Sequence, residues 1–176
     1  MRFFALALVL VLVSACATSS PWEKLNKQQQ LEAYTNKGQG YLNLGETQQA
    51  LADFRKALAI NSKYAPALHG TALALAAQGE LALAEEFFYK ALKASPPSLV
   101  SQVQLDLAGF YYQQQNYPQA LHFLQLASKD IYHPNRGLVF INLGYTHIKL
   151  NQPVKAIENF NLALKLNPSQ HWVSNE

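Results

Sequence analysis

Apolar and polar residues follow two regimes along this chain. Phe3 to Val13 is an unbroken apolar run of eleven residues behind one cation, Arg2, too short to cross a bilayer as a helix. From Leu31 onward small and aromatic residues recur with a period of about 34. Gly38, Tyr41, Gly45, Ala50, Phe54 and Ala57 return as Ala72, Leu75, Gly79, Ala84, Phe88 and Ala91. They return again as Ala108, Tyr111, Ala120, Leu124 and Ala127, and then as Leu143, Gly144, Ala156, Phe160 and Ala163. Two antiparallel helices approach closely only where glycine or alanine faces the partner, while Phe and Tyr fill the wider gaps. Each period therefore predicts a helical pair, giving eight helices with short turns. Pro96 and Pro168 follow second helices and stop them, whereas Pro118 and Pro153 sit near helix starts, where a missing N–H costs little.

This pattern resembles the tetratricopeptide repeat (TPR). The resemblance implies an all-α TPR superhelix over residues 31–168, with about four helix-turn-helix repeats at 31–64, 65–98, 101–134 and 137–170. Ser62 departs from it where proline is usual, His147 departs in the aromatic slot, and two-residue insertions precede repeats three and four. A stacked array of this kind has a concave surface lined by the first helix of each pair. Repeat register places Thr35, Gln39 and Leu42 there, then His69, Leu73 and Ala76, then Leu105, Gly109 and Tyr112, then Ile141, Tyr145 and Ile148. We take His69, Leu73, Leu105, Tyr112, Ile141, Tyr145 and Ile148 as the candidate peptide- or protein-binding groove, with Tyr112 and Tyr145 as rigid anchors. The competing reading is that about half of these residues pack between neighbouring repeats. Thr35, Gln39 and His69 cannot supply the Lys, Arg and Asn clamp by which chaperone-binding repeat proteins hold a C-terminal carboxylate.

Val13-Ser14-Ala15-Cys16 closes the apolar run, and Cys16 is the single cysteine of the chain. The sequence resembles a lipobox, which implies that residues 1–15 are a cleaved lipoprotein signal and that Cys16 carries covalent lipid. Several acyl chains on one residue anchor stably where one is marginal, at about 0.8 kcal/mol per buried methylene. Residues 16–30 then form a spacer, rich at its start in small polar residues. Ala17 is not the aspartate that marks inner-membrane retention, so the resemblance implies the outer membrane, facing the periplasm of a Gram-negative bacterium. The alternative is an ordinary cleaved signal with a chance cysteine.

Removing residues 1–15 leaves 13 basic against 11 acidic side chains. Charged residues are 14% of the chain against the usual ~25%, and the lysines are scattered, so electrostatic steering is weak and nucleic acid is not an expected partner. His69, His122, His133, His147 and His171 show no i, i+4 pairing, which argues against a metal site. Glu85 and Glu86 point about 100° apart on a helix, and Gly38, Gly40 and Gly45 lack the strand and the Lys-Ser/Thr of a phosphate loop. No nucleophile has a base and orienter at recognisable spacing, so the expectation is a non-enzyme with no cofactor beyond the lipid on Cys16. Residues 169–176 form a short tail. Leu162 occupies the slot of Lys56 and Lys90, and with Leu164 and Leu166 it makes a candidate C-terminal docking face for a partner, a second copy or the tail around Trp172.

Beyond the general repeat, the chain resembles the type IV pilus biogenesis and stability lipoproteins, the pilotin family called PilF or PilW. The carriers are Ala33-Tyr34 and Gly40-Tyr41-Leu42, then Gly109-Phe110, Tyr112, Gln114, Tyr117 and Ala120. More specific is the inserted join: Ala127-Ser128, Asp130, Pro134, Arg136, Phe140 and Asn142-Leu143-Gly144. The resemblance implies a binding protein that helps the pilus secretin subunit reach, or multimerise in, the outer membrane, and leaves oligomerisation open. The alternative is a general periplasmic TPR lipoprotein adaptor that recruits a protease or a peptidoglycan enzyme.

Overall fold

The computed structural model describes residues 26–166, so the apolar run, Cys16, Pro168 and the tail around Trp172 lie outside the described residues. Eight α-helices occupy this span: α1 (Lys27–Asn43), α2 (Thr47–Ile60), α3 (Ala65–Ala77), α4 (Leu81–Ala94), α5 (Pro97–Gln113), α6 (Tyr117–Ala127), α7 (Arg136–Lys149) and α8 (Pro153–Leu166). Each packs antiparallel on its sequence neighbour, and α1 also touches α3, α3 touches α5 and α5 touches α7. The even-numbered helices make no such contact with one another. The array therefore curves with α1, α3, α5 and α7 on its inner row, as expected of a TPR superhelix.

One turn is used four times inside the pairs. Residues 44–46, 78–80, 114–116 and 150–152 join first helix to second, and the middle residue of each is left-handed: Gly45 (φ 77°), Gly79 (φ 80°), Gln115 (φ 62°) and Asn151 (φ 55°). In each, the third residue's N–H reaches back to a carbonyl five residues earlier, as in Glu46 to Tyr41 at 2.9 Å and Gln152 to His147 at 2.8 Å. This caps carbonyls that a helix end leaves unpaired. Joins between pairs differ: residues 61–64, 95–96 and 128–135. The insertion before repeat three is absorbed by α5, which starts at Pro97 and runs 17 residues. The one before repeat four enters the long connector after an 11-residue α6.

The core sits between the helical rows. Ala50, Phe54, Ala57, Ala84, Phe88, Ala91, Ala120 and Ala127 are fully buried, so the small and aromatic slots of the period are where the helices meet. His147, in the aromatic slot, is also buried, with Nδ1 2.9 Å from Oε1 of Gln152 in the following turn. Buried Asp53 on α2 is held by Lys56 at 2.7 Å and by Lys37 of α1 at 3.5 Å. Tyr111 on α5 stacks on Phe123 of α6 and hydrogen-bonds Glu85 and Tyr89 of α4, linking the second and third pairs. Burial and the Glu85 carboxylate hold its phenol well above the usual tyrosine range. Among the described residues no helix is long and apolar enough to cross a membrane.

Candidate binding groove

The inner row places two adjoining hollows on the concave side. One, of about 190 Å³, is lined by Ala108, Gly109, Tyr112, Gln113, Asn142 and Tyr145, with Leu124 beneath. The other, of about 390 Å³, runs from Leu73 and Ala76 on α3 past Gln102, Leu105 and Asp106 on α5 to Leu138 on α7. They meet at Gly109, Gln113 and Asn142. The joint is open because Gly109 has no side chain: nothing lies within 4 Å of where its Cβ would be. Helical spacing explains the set, since 102, 105/106, 109 and 112/113 recur every three or four residues on one face of α5.

Four of the groove residues expected from register come together here: Leu73, Leu105, Tyr112 and Tyr145. Leu105 is a wall more than a contact surface, at 4% exposure. Tyr112 packs edge-on against Tyr117, and Tyr145 edge-on against Phe160, so both rings are braced from behind. His69 lies at the margin, its Nε2 2.9 Å from Asp106 but angled off a hydrogen bond. Ile141 is packed against the core. Ile148 is half exposed and lines neither hollow. In repeat one, Gln39 bonds Asn43 on its own helix, and neither it nor Thr35 nor Leu42 borders a hollow.

Register reasoning missed the polar half of the site. Gln102 donates to Asp106 at 2.9 Å, whereas the Gln113 and Asn142 side chains have no hydrogen bond to any described residue. A primary amide offers both a donor and an acceptor, which matches a peptide backbone. The signal was the spacing of these residues around Gly109, but polar side chains on an exposed helix face read equally as a solvated surface. The groove thus offers apolar and aromatic walls, two free amides and one carboxylate, with no lysine or arginine to hold a terminal carboxylate. At the C-terminal face Leu162, Leu164 and Leu166 are 42%, 46% and 39% exposed on α8, next to exposed Ile157. No group of three possible metal ligands occurs among the described residues.

Tetratricopeptide repeat families match residues 31–64 and 138–170, and another of the same description matches 75–136. The type IV pilus assembly protein PilF of Pseudomonas aeruginosa is 35% identical over 173 residues, which is 96% of this chain and 68% of that protein. The chain belongs to the PilF family. The solved structure of Pseudomonas aeruginosa PilF superposes with a TM-score of 0.77 at 36% identity, covering 82% of this chain and 64% of that one. The chain therefore spans about two thirds of the length of the PilF relatives it matches. RapI (TM-score 0.73, 19% identity, 84% of this chain and 59% of that one) and MamA (0.67, 15%, 79% of each) share the fold alone. Membership makes this a TPR protein of the PilF family, whose repeats offer surfaces for protein–protein contact.

Proposed function

We propose that the chain is an outer-membrane lipoprotein, anchored through Cys16 and facing the periplasm, that assists localisation or multimerisation of the pilus secretin subunit. It does so by binding and delivering a client, without catalysis. The groove takes an aliphatic or amphipathic segment of that client. The observation that carries this reading is the pair of hollows joined at Gly109, where braced Tyr112 and Tyr145 stand beside the unengaged amides of Gln113 and Asn142. Rings supply buried area at low entropic cost, and the amides hold the backbone of whatever segment lies between them. A lipid tether raises the effective concentration of the bound client at the target membrane. The exposed leucines of α8 offer a second contact surface for the same client or for another copy of the chain.

The test is the amount of heat-resistant secretin multimer in outer membranes of a deletion strain complemented with the native chain, Cys16→Ala or Gly109→Leu. Native rescue with loss in both variants is expected. Multimers that never depend on this chain would sink the secretin reading and favour the adaptor.

A further inference from the structure

Charge is distributed unevenly between the two edges of the array. Because hairpins alternate in direction, the start of α1, the joins 61–64, 95–96 and 128–135 and the end of α8 all lie on one edge, and the four repeated turns lie on the other. Among the described residues the first edge, counting joins and adjoining helical turns, carries Lys27, Lys63, Lys93, Lys129, Arg136 and Lys165 against a single acid, Asp130. The opposite edge balances Glu46 and Glu80 with Lys149 and Lys155.

Neutralisation is also local. Three mid-helix lysines are paired, Lys37 and Lys56 with Asp53 and Lys90 with Glu86 at 2.7 Å, while Lys149 and Lys155 of the opposite edge face the acids Glu46 and Glu80 of that edge only at a distance. The lysines of the basic edge have no ion pair with any described residue, and Lys63 and Lys93 share a hollow of about 420 Å³ with Leu68 and Ala94. Asp130 offsets one of these six cations and is held in place, Oδ2 accepting from Ser101 Oγ at 2.6 Å and Oδ1 from the Tyr132 N–H at 2.9 Å. Those bonds fix the connector, and on it Ile131 is 61% and Tyr132 88% exposed, the latter the most exposed large apolar side chain described. A fixed, outward tyrosine and isoleucine among unpaired lysines match the headgroup layer of a bilayer, where amphipathic rings settle and cations meet anionic lipid.

The chain outside the described residues leads to the same edge. Resting on the reading of Cys16 as the lipid anchor, residues 17–26 reach at most about 35 Å before α1 begins. We propose that this basic edge, with Ile131 and Tyr132 at its tip, lies on an anionic bilayer surface and fixes how the array stands on the membrane. One lipid signal and one basic patch acting together hold a protein more firmly than either alone.

Hydrogen exchange on the full chain as purified from bacterial membranes tests this, with reconstitution into phosphatidylcholine vesicles with and without phosphatidylglycerol. On phosphatidylglycerol the amides of 61–64 and 129–132 slow several-fold, those of 44–46 and 78–80 are unchanged, and salt that shortens the Debye length to about 3 Å reverses the slowing. The double variant Lys63→Glu/Lys93→Glu and, separately, Tyr132→Ser weaken the slowing while the chain stays on the vesicles. Equal exchange on both vesicle types, with the chain still bound, overturns the edge contact and leaves the anchor intact. A chain that leaves both vesicle types, with Cys16 unmodified by intact mass, overturns the anchor and the edge contact with it.

Discussion

Phe54 on α2 fills the space that Gly70 leaves open on α3. The same ring also covers Gly38 on α1, so one side chain closes both its own hairpin and the step to the next. A Cβ at Gly70 would sit 2.5 Å from Phe54 Cε1, and the ring is fully buried with nowhere to turn. Gly70→Ala is therefore expected to destabilise by about 1–3 kcal/mol despite alanine's better helix propensity, lowering Tm by several degrees in a thermal melt. An unchanged Tm would contradict this packing.

Gly109 is the opposite case. Its Cβ position is open, so Gly109→Leu gains helix propensity and projects a side chain into the joint of the groove. We expect Tm to hold or rise, by up to about 1 kcal/mol in stability, while affinity for a groove-binding peptide falls more than about tenfold, or 1.4 kcal/mol. Titration calorimetry with native and variant chains separates the two effects.

Phe160 occupies in repeat four the slot of Phe54 and rests on Gly144, yet is only partly buried because no described helix follows α8. Phe54→Ala should cost about 3–5 kcal/mol, and Phe160→Ala clearly less. Denaturant midpoints for the pair measure how much of the terminal face is covered; equal losses would mean that something buries it.

Tyr111 makes the second-to-third repeat contact sensitive to alkali. Its phenol titrates above the unfolded value of about 10, so its contribution is complete below that pH and is lost as pH rises toward the folded value. Tyr111→Phe should cost about 1 kcal/mol at neutral pH and flatten the fall in Tm above pH 10. A variant that keeps the native alkaline slope would place that sensitivity elsewhere.

Asp130 works in the other direction. The Ser101 hydroxyl and then the Tyr132 N–H hold its carboxyl below the usual carboxylate range. The stabilisation is present above the unfolded value of about 3.9 and disappears as pH falls through the lower, folded one. Exchange at the Tyr132 amide, corrected for its intrinsic pH dependence, should quicken across that acid window in the native chain and show no such step in Asp130→Asn.

Much of the fold was legible because the residues that set helix spacing are those that cannot be replaced within one hairpin: Ala50, Phe54 and Ala57 recur since each meets its own partner helix. Gly70 was not legible, because it answers to Phe54 of the preceding repeat, and a contact between repeats leaves no mark within one period. The groove was half legible. Leu73, Tyr112 and Tyr145 stood out as apolar residues on an inner face, while Gln102, Asp106, Gln113 and Asn142 resembled any solvated surface. Ile141 and Ile148 share the register of the groove, but core packing takes the first and position beyond the hollows excludes the second. Asp130 was marked as part of a distinctive join, and only the geometry of Ser101 and Tyr132 reveals what it secures.

The uneven joins also bear on mechanics. Three hairpins follow one another through four- and two-residue links, but the fourth hangs on the eight-residue segment 128–135. Tyr112 belongs to the third hairpin and Tyr145 to the fourth. The two jaws of the smaller hollow thus stand on opposite sides of the longest join in the array, and the angle between α5 and α7 sets the bite.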